Sequence, residues 1–349
     1  MTNGGMWKAM GECMSLSARI VDVVSFMPDR VVSNAEHSHG DDELAEHAFF
    51  RGVAERRFAS PEYSSADLGV RAVQKLLDRT GMSASELDLI IYSCQFNDTF
   101  WPGIGPDVQG RVGADGATIL QVDTSCCSWL SGLRTAQAFI ESGQHRNIVV
   151  LTVTNFVSRL PEFQRSTRSR VLGDGATATL LTPGDPSILA GFERSHGAHY
   201  GLLRFEPDVV DGVFRNYWER GCGPITVNFT RERLELLREN ALTLVPEAVA
   251  HALKQAGVTA EDVSLLITHQ PNEEYIAEWR RRCGIDRPRA HDTLAKYGNL
   301  FHGSLPVTLA DALDQGLVRQ GDLLAFGTFS NGGDMVSAMT VRWNGNPQT

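Results

Sequence analysis

GMSASELDLIIYSCQ (residues 81–95) aligns without a gap on GVTAEDVSLLITHQP (residues 257–271), so that residue 81 meets residue 257 at an offset of 176. In each copy a glycine closes a run of helical spacing, VQKLLDRT in one and AHALKQA in the other. Glycine takes the left-handed conformation that ends helices without a Cβ clash. A short polar turn of Ser/Thr, Ala and Glu/Asp follows. Then comes a compact apolar run, Leu89 to Ile91 or Leu265 to Ile267, bounded as a buried strand is bounded. An offset near half of a 349-residue chain is too long for a solenoid repeat. It predicts two homologous halves, each a sheet covered by helices.

Working outward, further strands are expected over Ala18–Phe26, Asn147–Thr154, Ala176–Leu181, Asp322–Gly327 and Val336–Trp343. Helices are expected over Ser65–Arg79, Trp129–Ser142, Arg231–Ala256, Glu273–Cys283 and Ser304–Leu313. Short connections and continuous apolar strands give an α/β fold with buried, parallel or mixed sheets. PGDP (183–186) is the expected join, giving an N-terminal extension over 1–15, a first half over 16–183 and a second over 187–345. Glu206–Gly223 has glycine, proline and little periodicity, and reads as a long active-site loop or cap.

Composition narrows the function. Hydrophobic content of 42% and charged content of 21% are those of an ordinary globular protein. A net charge of −10 argues against nucleic acid, whose phosphates call for a basic surface. No apolar run reaches the ~20 residues that span a bilayer, so no membrane partner is expected. The six cysteines (Cys13, Cys94, Cys126, Cys127, Cys222, Cys283) are scattered without a CxxC pair. That pattern fits reduced thiols in the cytoplasm, and neither a disulfide framework nor a metal site.

Chemistry gathers first in QVDTSCCSWLSGLRTAQAFIESG, residues 121–143. Ile119, Leu120 and Val122 read as the buried end of a strand, and Trp129 onward repeats at helical spacing. Thr124 and Ser125 are positioned to cap that helix, placing Cys126 or Cys127 at its amino end. There the dipole and unpaired N–H groups favour a thiolate, hence a nucleophile. The competing reading is a packed small thiol. In the second copy, the strand runs out into His269-Gln270-Pro271-Asn272, at the carboxyl end where open α/β sheets bind ligands. Gly298-Asn299 is a turn dipeptide ahead of the helix from Ser304.

The motifs TSCCSW (124–129), GDGATATLL (173–181), HQPN (269–272), YGN (297–299) and SNGGDMVSAMTVRW (330–343) occur in order on this duplicated chain. Together they resemble the ketoacyl-acyl carrier protein synthase III branch of the thiolase-fold condensing enzymes, over about residues 16–345. The resemblance implies a five-layered αβαβα thiolase fold. It implies Cys126, rather than Cys127, as nucleophile, with His269 and Asn299 beside it. Backbone N–H groups of Cys126 and of the Asn331–Gly333 turn, with Gly332 and Gly333 named, are implied as the oxyanion hole. Also implied is a homodimer acting on coenzyme A or acyl-carrier-protein thioesters, without a further cofactor.

These residue types suit a decarboxylative Claisen condensation. Sulfur accepts the acyl group, and a neutral imidazole with a carboxamide stabilises the enolate formed on loss of CO2. Several positions depart from the family pattern. Glu46 and Phe50 stand where the family grips the coenzyme A nucleotide with tryptophan and arginine, leaving Arg51, Arg56 or Arg57 as substitutes or as solvated charges, while Arg165, in FQRSTRSR, matches another nucleotide-contacting arginine of the substrate pocket with a one-residue shift. Those departures point to specialised, polyketide-like metabolism. His302 is expected to line the substrate pocket, and Phe100 and Trp101 to reach a partner's acyl pocket. Asp98 lies near the carboxylate base of head-to-head condensing relatives. Arg280, Arg281 and Arg282 are candidates for docking an acidic carrier protein. Two alternatives remain: acyl transfer to an oxygen or nitrogen nucleophile, and a non-catalytic subunit of a heteromeric enzyme.

Overall fold

The structure is a computed structural model that describes residues 16–36, 44, 47–164 and 166–345, and the expected extension over 1–15 lies outside them. The first sheet runs in the order Ala18–Phe26, Gly175–Pro183, Ile148–Thr154, Leu89–Cys94, Thr118–Gln121. The second runs Ile188–Ser195, Met335–Arg342, Leu323–Ser330, Leu265–Thr268. Strand by strand the orders correspond, and Thr118–Gln121 is an extra edge on the first sheet. Both sheets are mixed. Leu89–Cys94 is parallel to Ile148–Thr154 and to the edge Thr118–Gln121, as Leu265–Thr268 is to Leu323–Ser330, and the remaining pairs are antiparallel.

The repeat holds at atomic detail. Gly81 and Gly257 have φ of 71° and 70°. Two residues on, the Ser83 N–H donates to Glu86 at 2.9 Å and the Thr259 N–H to Asp262 at 2.8 Å. Each turn then feeds its strand, at Leu89 or Leu265.

Helices Ser128–Glu141 and Ser304–Asp314 fill the space between the sheets, where Trp129, Leu133, Leu305 and Leu309 share one core with Ile267 and Met339. Trp129 ties the layers together. Its indole N–H donates to Thr179 of the first sheet at 3.0 Å, and its ring meets Phe326 of the second edge-on at 5.3 Å. Helix Ser65–Thr80 covers the outer face of the first sheet through Leu68, Val73 and Leu76. Helix Arg231–Gln255 covers the second through Leu237, Val245 and Val249. Helix, sheet, helix, sheet, helix is the five-layered arrangement expected.

Two expectations change, and one element is new. Ile119 and Leu120 are only half-buried, because their strand is a sheet edge with one neighbour. Residues 206–223 are the distal part of an antiparallel hairpin, Phe205–Pro207 with Ile225–Val227. An unforeseen ribbon pairs Arg30–Ser33 with Glu55–Phe58, whose charged residues hide any apolar alternation. The five described cysteines are all free thiols. No described helix is long and apolar enough to cross a membrane.

Candidate active site

The edge strand delivers the chain into a tight turn, Ser125–Cys127, that opens the helix Ser128–Glu141. Ser125 sits at φ +51°, a left-handed conformation that non-glycine residues rarely adopt. Neither Thr124 nor Ser125 caps through its side chain, contrary to expectation. Ser128 does the fastening instead: its hydroxyl accepts from the Thr124 N–H at 2.9 Å and donates to the Ser125 carbonyl at 2.7 Å.

Cys126 is 6% exposed. Burial outweighs the helix end and pushes its thiol up to about 12, against the opposing pull of the Ser125 hydroxyl and the Asn331 backbone N–H. At rest, then, the sulfur is protonated, a correction to the expected thiolate. Cys127 is fully enclosed, its thiol raised well above the ordinary range by burial, with Sγ 3.9 Å from the Met335 carbonyl. The packed small thiol is therefore Cys127.

His269 leaves its strand with the backbone N–H bonded to the Gly327 carbonyl at 2.9 Å and the ring edge-on to Phe329 at 5.9 Å. Burial alone drives its pKa down to about 3, so the imidazole is neutral near pH 7. Its Nδ1 has no hydrogen-bond partner among the described residues. Asn299 is held differently. Its Oδ1 accepts from the Phe301 N–H at 2.8 Å and from the Ser304 hydroxyl at 3.2 Å. With the oxygen so committed, the NH2 end is left to donate to a ligand. The preceding Gly298, at φ +69°, passes so close to Val171 that a Cβ would lie 2.8 Å from its carbonyl oxygen.

Cys126, His269 and Asn299 line one cavity of about 520 Å³, otherwise walled mainly by apolar side chains such as Phe49, Phe205, Phe229 and Phe329. Asn331 also lines it. Of the expected oxyanion turn, one N–H is engaged within the turn itself. The Gly333 N–H already donates to the Ser330 carbonyl at 2.7 Å, and a Cβ at Gly332 would lie 2.4 Å from the Cβ of Leu202. The N–H that favours charge at Cys126 is that of Asn331, at φ +40°. Asparagine before a Gly-Gly pair was the sequence signal for it, since asparagine tolerates positive φ.

The remaining expected site residues lie elsewhere. His302 lines a second hollow, of about 1290 Å³, together with Ser93, Asp123 and Asp334. Its Nε2 lies 3.0 Å from the Val153 carbonyl oxygen. Phe100 and Trp101 are 92% and 82% exposed and line neither space. Arg165 and Glu46 fall outside the described residues. Asp98 accepts from the Ser65 and Ala66 N–H groups at 2.6 and 3.0 Å and pairs with Arg159, so it secures a helix start. Phe50 is buried against Phe49 and Phe229. Arg56 is buried too, not solvated, with its guanidinium 5.0 Å from the Phe58 ring centre. Arg281 and Arg282 are exposed, and both pair with Glu278, at 2.6 and 2.7 Å. Arg280 shares a surface groove with them.

Comparison with known proteins shows which proteins this chain is similar to. A family model for 3-oxoacyl-[acyl-carrier-protein] synthase III matches residues 120–197, and one for its C-terminal part matches residues 253–343. The beta-ketoacyl-[acyl-carrier-protein] synthase III 1 of Halalkalibacterium halodurans is 28% identical over 93% of this chain and 98% of its own. The crystal structure of 3-oxoacyl-(acyl carrier protein) synthase III from Pseudomonas aeruginosa PAO1 superposes with a TM-score of 0.78 at 26% identity, covering 94% of this chain and 98% of that one. The priming beta-ketosynthase of the R1128 polyketide pathway shares the fold, with a TM-score of 0.83 at 24% identity over 95% of this chain and 97% of its own. The chain is thus similar, over nearly its whole length, to the ketoacyl synthase III condensing enzymes of the thiolase superfamily.

Proposed function

We propose that this condensing enzyme loads an acyl group onto Cys126 and joins it to a malonyl-type thioester with loss of CO2. The observation that carries the proposal is the shared cavity of Cys126, His269 and Asn299, fed by both halves of the chain. In the first step the Cys126 sulfur attacks the thioester carbonyl. The acyl group moves to sulfur, and the thiol proton leaves with the departing thiol. The backbone N–H groups of Cys126 and Asn331 hold the transient oxyanion.

In the second step the malonyl-type group loses CO2, and its electron pair becomes an enolate. A ring N–H of His269 and the NH2 of Asn299 donate to the enolate oxygen. A neutral imidazole is the right partner for this, since a donor is required and a base is not. The enolate carbon attacks the acyl carbonyl, and Cys126 leaves as a thiolate that is then reprotonated. The route needs no group beyond its thioester substrates. Plain transfer to oxygen or nitrogen would use the cysteine but leave the imidazole–carboxamide pair without a task.

The buried Phe50, in place of a cationic nucleotide grip, supports a carrier-protein or specialised donor over plain acetyl-coenzyme A. The exposed Phe100 and Trp101, with the free edge of Thr118–Gln121, support a homodimer. Arg280–Arg282 offer a basic face to an acidic carrier, moderated by Glu278.

Incubation with a panel of acyl thioesters, read by mass spectrometry, tests the first step. The adduct is expected on Cys126, to vanish in Cys126→Ala and to persist in Cys127→Ala. Adding malonyl thioester should then release CO2 and a ketoacyl product. Acylation without CO2 release would favour plain transfer, and no acylation by any donor a non-catalytic subunit.

A further inference from the structure

We propose that Ser125 is a positioning residue for the nucleophile, its hydroxyl held by an Asp334–Asn331–Ser125 chain so that it donates to the Cys126 sulfur as negative charge develops there. The proposal rests on the reading of Cys126 as the nucleophile.

The Ser125 hydroxyl oxygen lies 3.1 Å from Asn331 Oδ1 and 3.9 Å from Cys126 Sγ. A hydroxyl has one proton to give, and at rest it goes to the nearer carboxamide oxygen. Which end of Asn331 faces Ser125 is fixed from behind. Its Nδ2 donates to Asp334 Oδ2 at 3.1 Å, and the other Asp334 oxygen accepts from the Ser330 hydroxyl. The contact joins the two halves of the chain, and both partners are non-glycine residues at positive φ, +51° and +40°. Backbone strain of this kind persists only where surrounding contacts over-determine it.

The sulfur has need of such a donor. Among the described residues, the titratable groups that face it are Asp334 behind the turn, Cys127 beside it and His269 across the cavity. The first repels a thiolate, the other two are neutral, and none is a cation. With the Asn299 NH2 and the His269 ring N–H assigned to the enolate oxygen, the backbone N–H groups of Cys126 and Asn331 are the other donors that favour charge on the sulfur among the described residues. Those two are occupied once a thioester oxygen enters the oxyanion hole. At that moment, and again when Cys126 departs as a thiolate, the Ser125 hydroxyl is the donor left for sulfur.

The test is the rate of iodoacetamide alkylation between pH 7 and pH 10, resolved for Cys126 and Cys127 by mass spectrometry of the full chain. Ser125→Ala and Ser125→Gly both remove the hydroxyl, and glycine also relieves the left-handed backbone, so folding is not challenged. A hydrogen bond to a charged group predicts a Cys126 profile displaced to higher pH by about one unit, or about tenfold slower labelling at each pH. Cys127 labelling should not change. Asn331→Gly should slow Cys126 labelling in the wild-type background and add nothing in the Ser125→Gly background. Wild-type rates in Ser125→Gly would overturn the proposal. So would faster labelling of both cysteines together, the mark of a merely loosened turn, or an equal effect of Asn331→Gly in both backgrounds. Iodoacetamide is not a substrate, so this readout stands apart from whether Cys126 accepts acyl groups.

Discussion

At Asn299 the carboxamide oxygen is occupied by Phe301 and Ser304, and Ser304 thereby decides which end meets the substrate. Ser304→Ala should slow CO2 release by about fivefold, the worth of one ordinary hydrogen bond, and leave acylation of Cys126 unchanged. His269 invites a test through pH. Its pKa is about 3 in the fold against about 6.5 unfolded. As pH falls through 6.5 the unfolded chain gains a proton that the folded chain refuses until near pH 3. Stability is lost over that window, by up to about 1.4 kcal/mol per pH unit. Denaturant titrations of wild type and His269→Gln should therefore diverge in that sense between pH 6.5 and 4, with wild type losing the more. Equal slopes would mean an imidazole that titrates normally. Cys126 and His269 were legible as residues because each follows the end of an apolar strand. Their protonation states were not, since both follow from burial that no local pattern encodes.

Among the elements, the cysteine helix is set by how closely it approaches the first sheet. At Gly132 a Cβ would lie 2.8 Å from a Val150 methyl. Gly132→Val should cost about 1–3 kcal/mol in thermal or denaturant unfolding and should slow condensation more than acylation, because it displaces Cys126 relative to His269. An unaltered unfolding midpoint would show the interface to be slack. Strands and helices with strong periodicity were readable to within a few residues. The capping by Ser128 was not, since Thr124 and Ser125 are the better caps by type and only the left-handed turn at Ser125 excludes them. The ribbon of Arg30–Ser33 and Glu55–Phe58 escaped for the opposite reason: its strands are short and charged, and Arg56 is buried by tertiary contacts alone.

For the whole molecule, the duplication explains why the chemistry is divided: the first half supplies sulfur, the second supplies the imidazole and the carboxamide, and Trp129 binds the two sheets between them. The sequence repeat announced that symmetry, while the split between the two hollows on either side of the cysteine turn arises only from packing. The edge at Thr118–Gln121, unpaired among the described residues, predicts a sedimenting species of twice 38.3 kDa. A monomer at micromolar concentration would remove the basis for Phe100 and Trp101 serving a second copy. Condensation requires the cooperation of three side chains, and the most direct measurement of that cooperation is CO2 release from malonyl thioester by enzyme already acylated at Cys126. With His269→Ala or Asn299→Ala, the acyl-enzyme should accumulate intact while CO2 release falls by about 10²–10³. Release at the wild-type rate in both variants would contradict it.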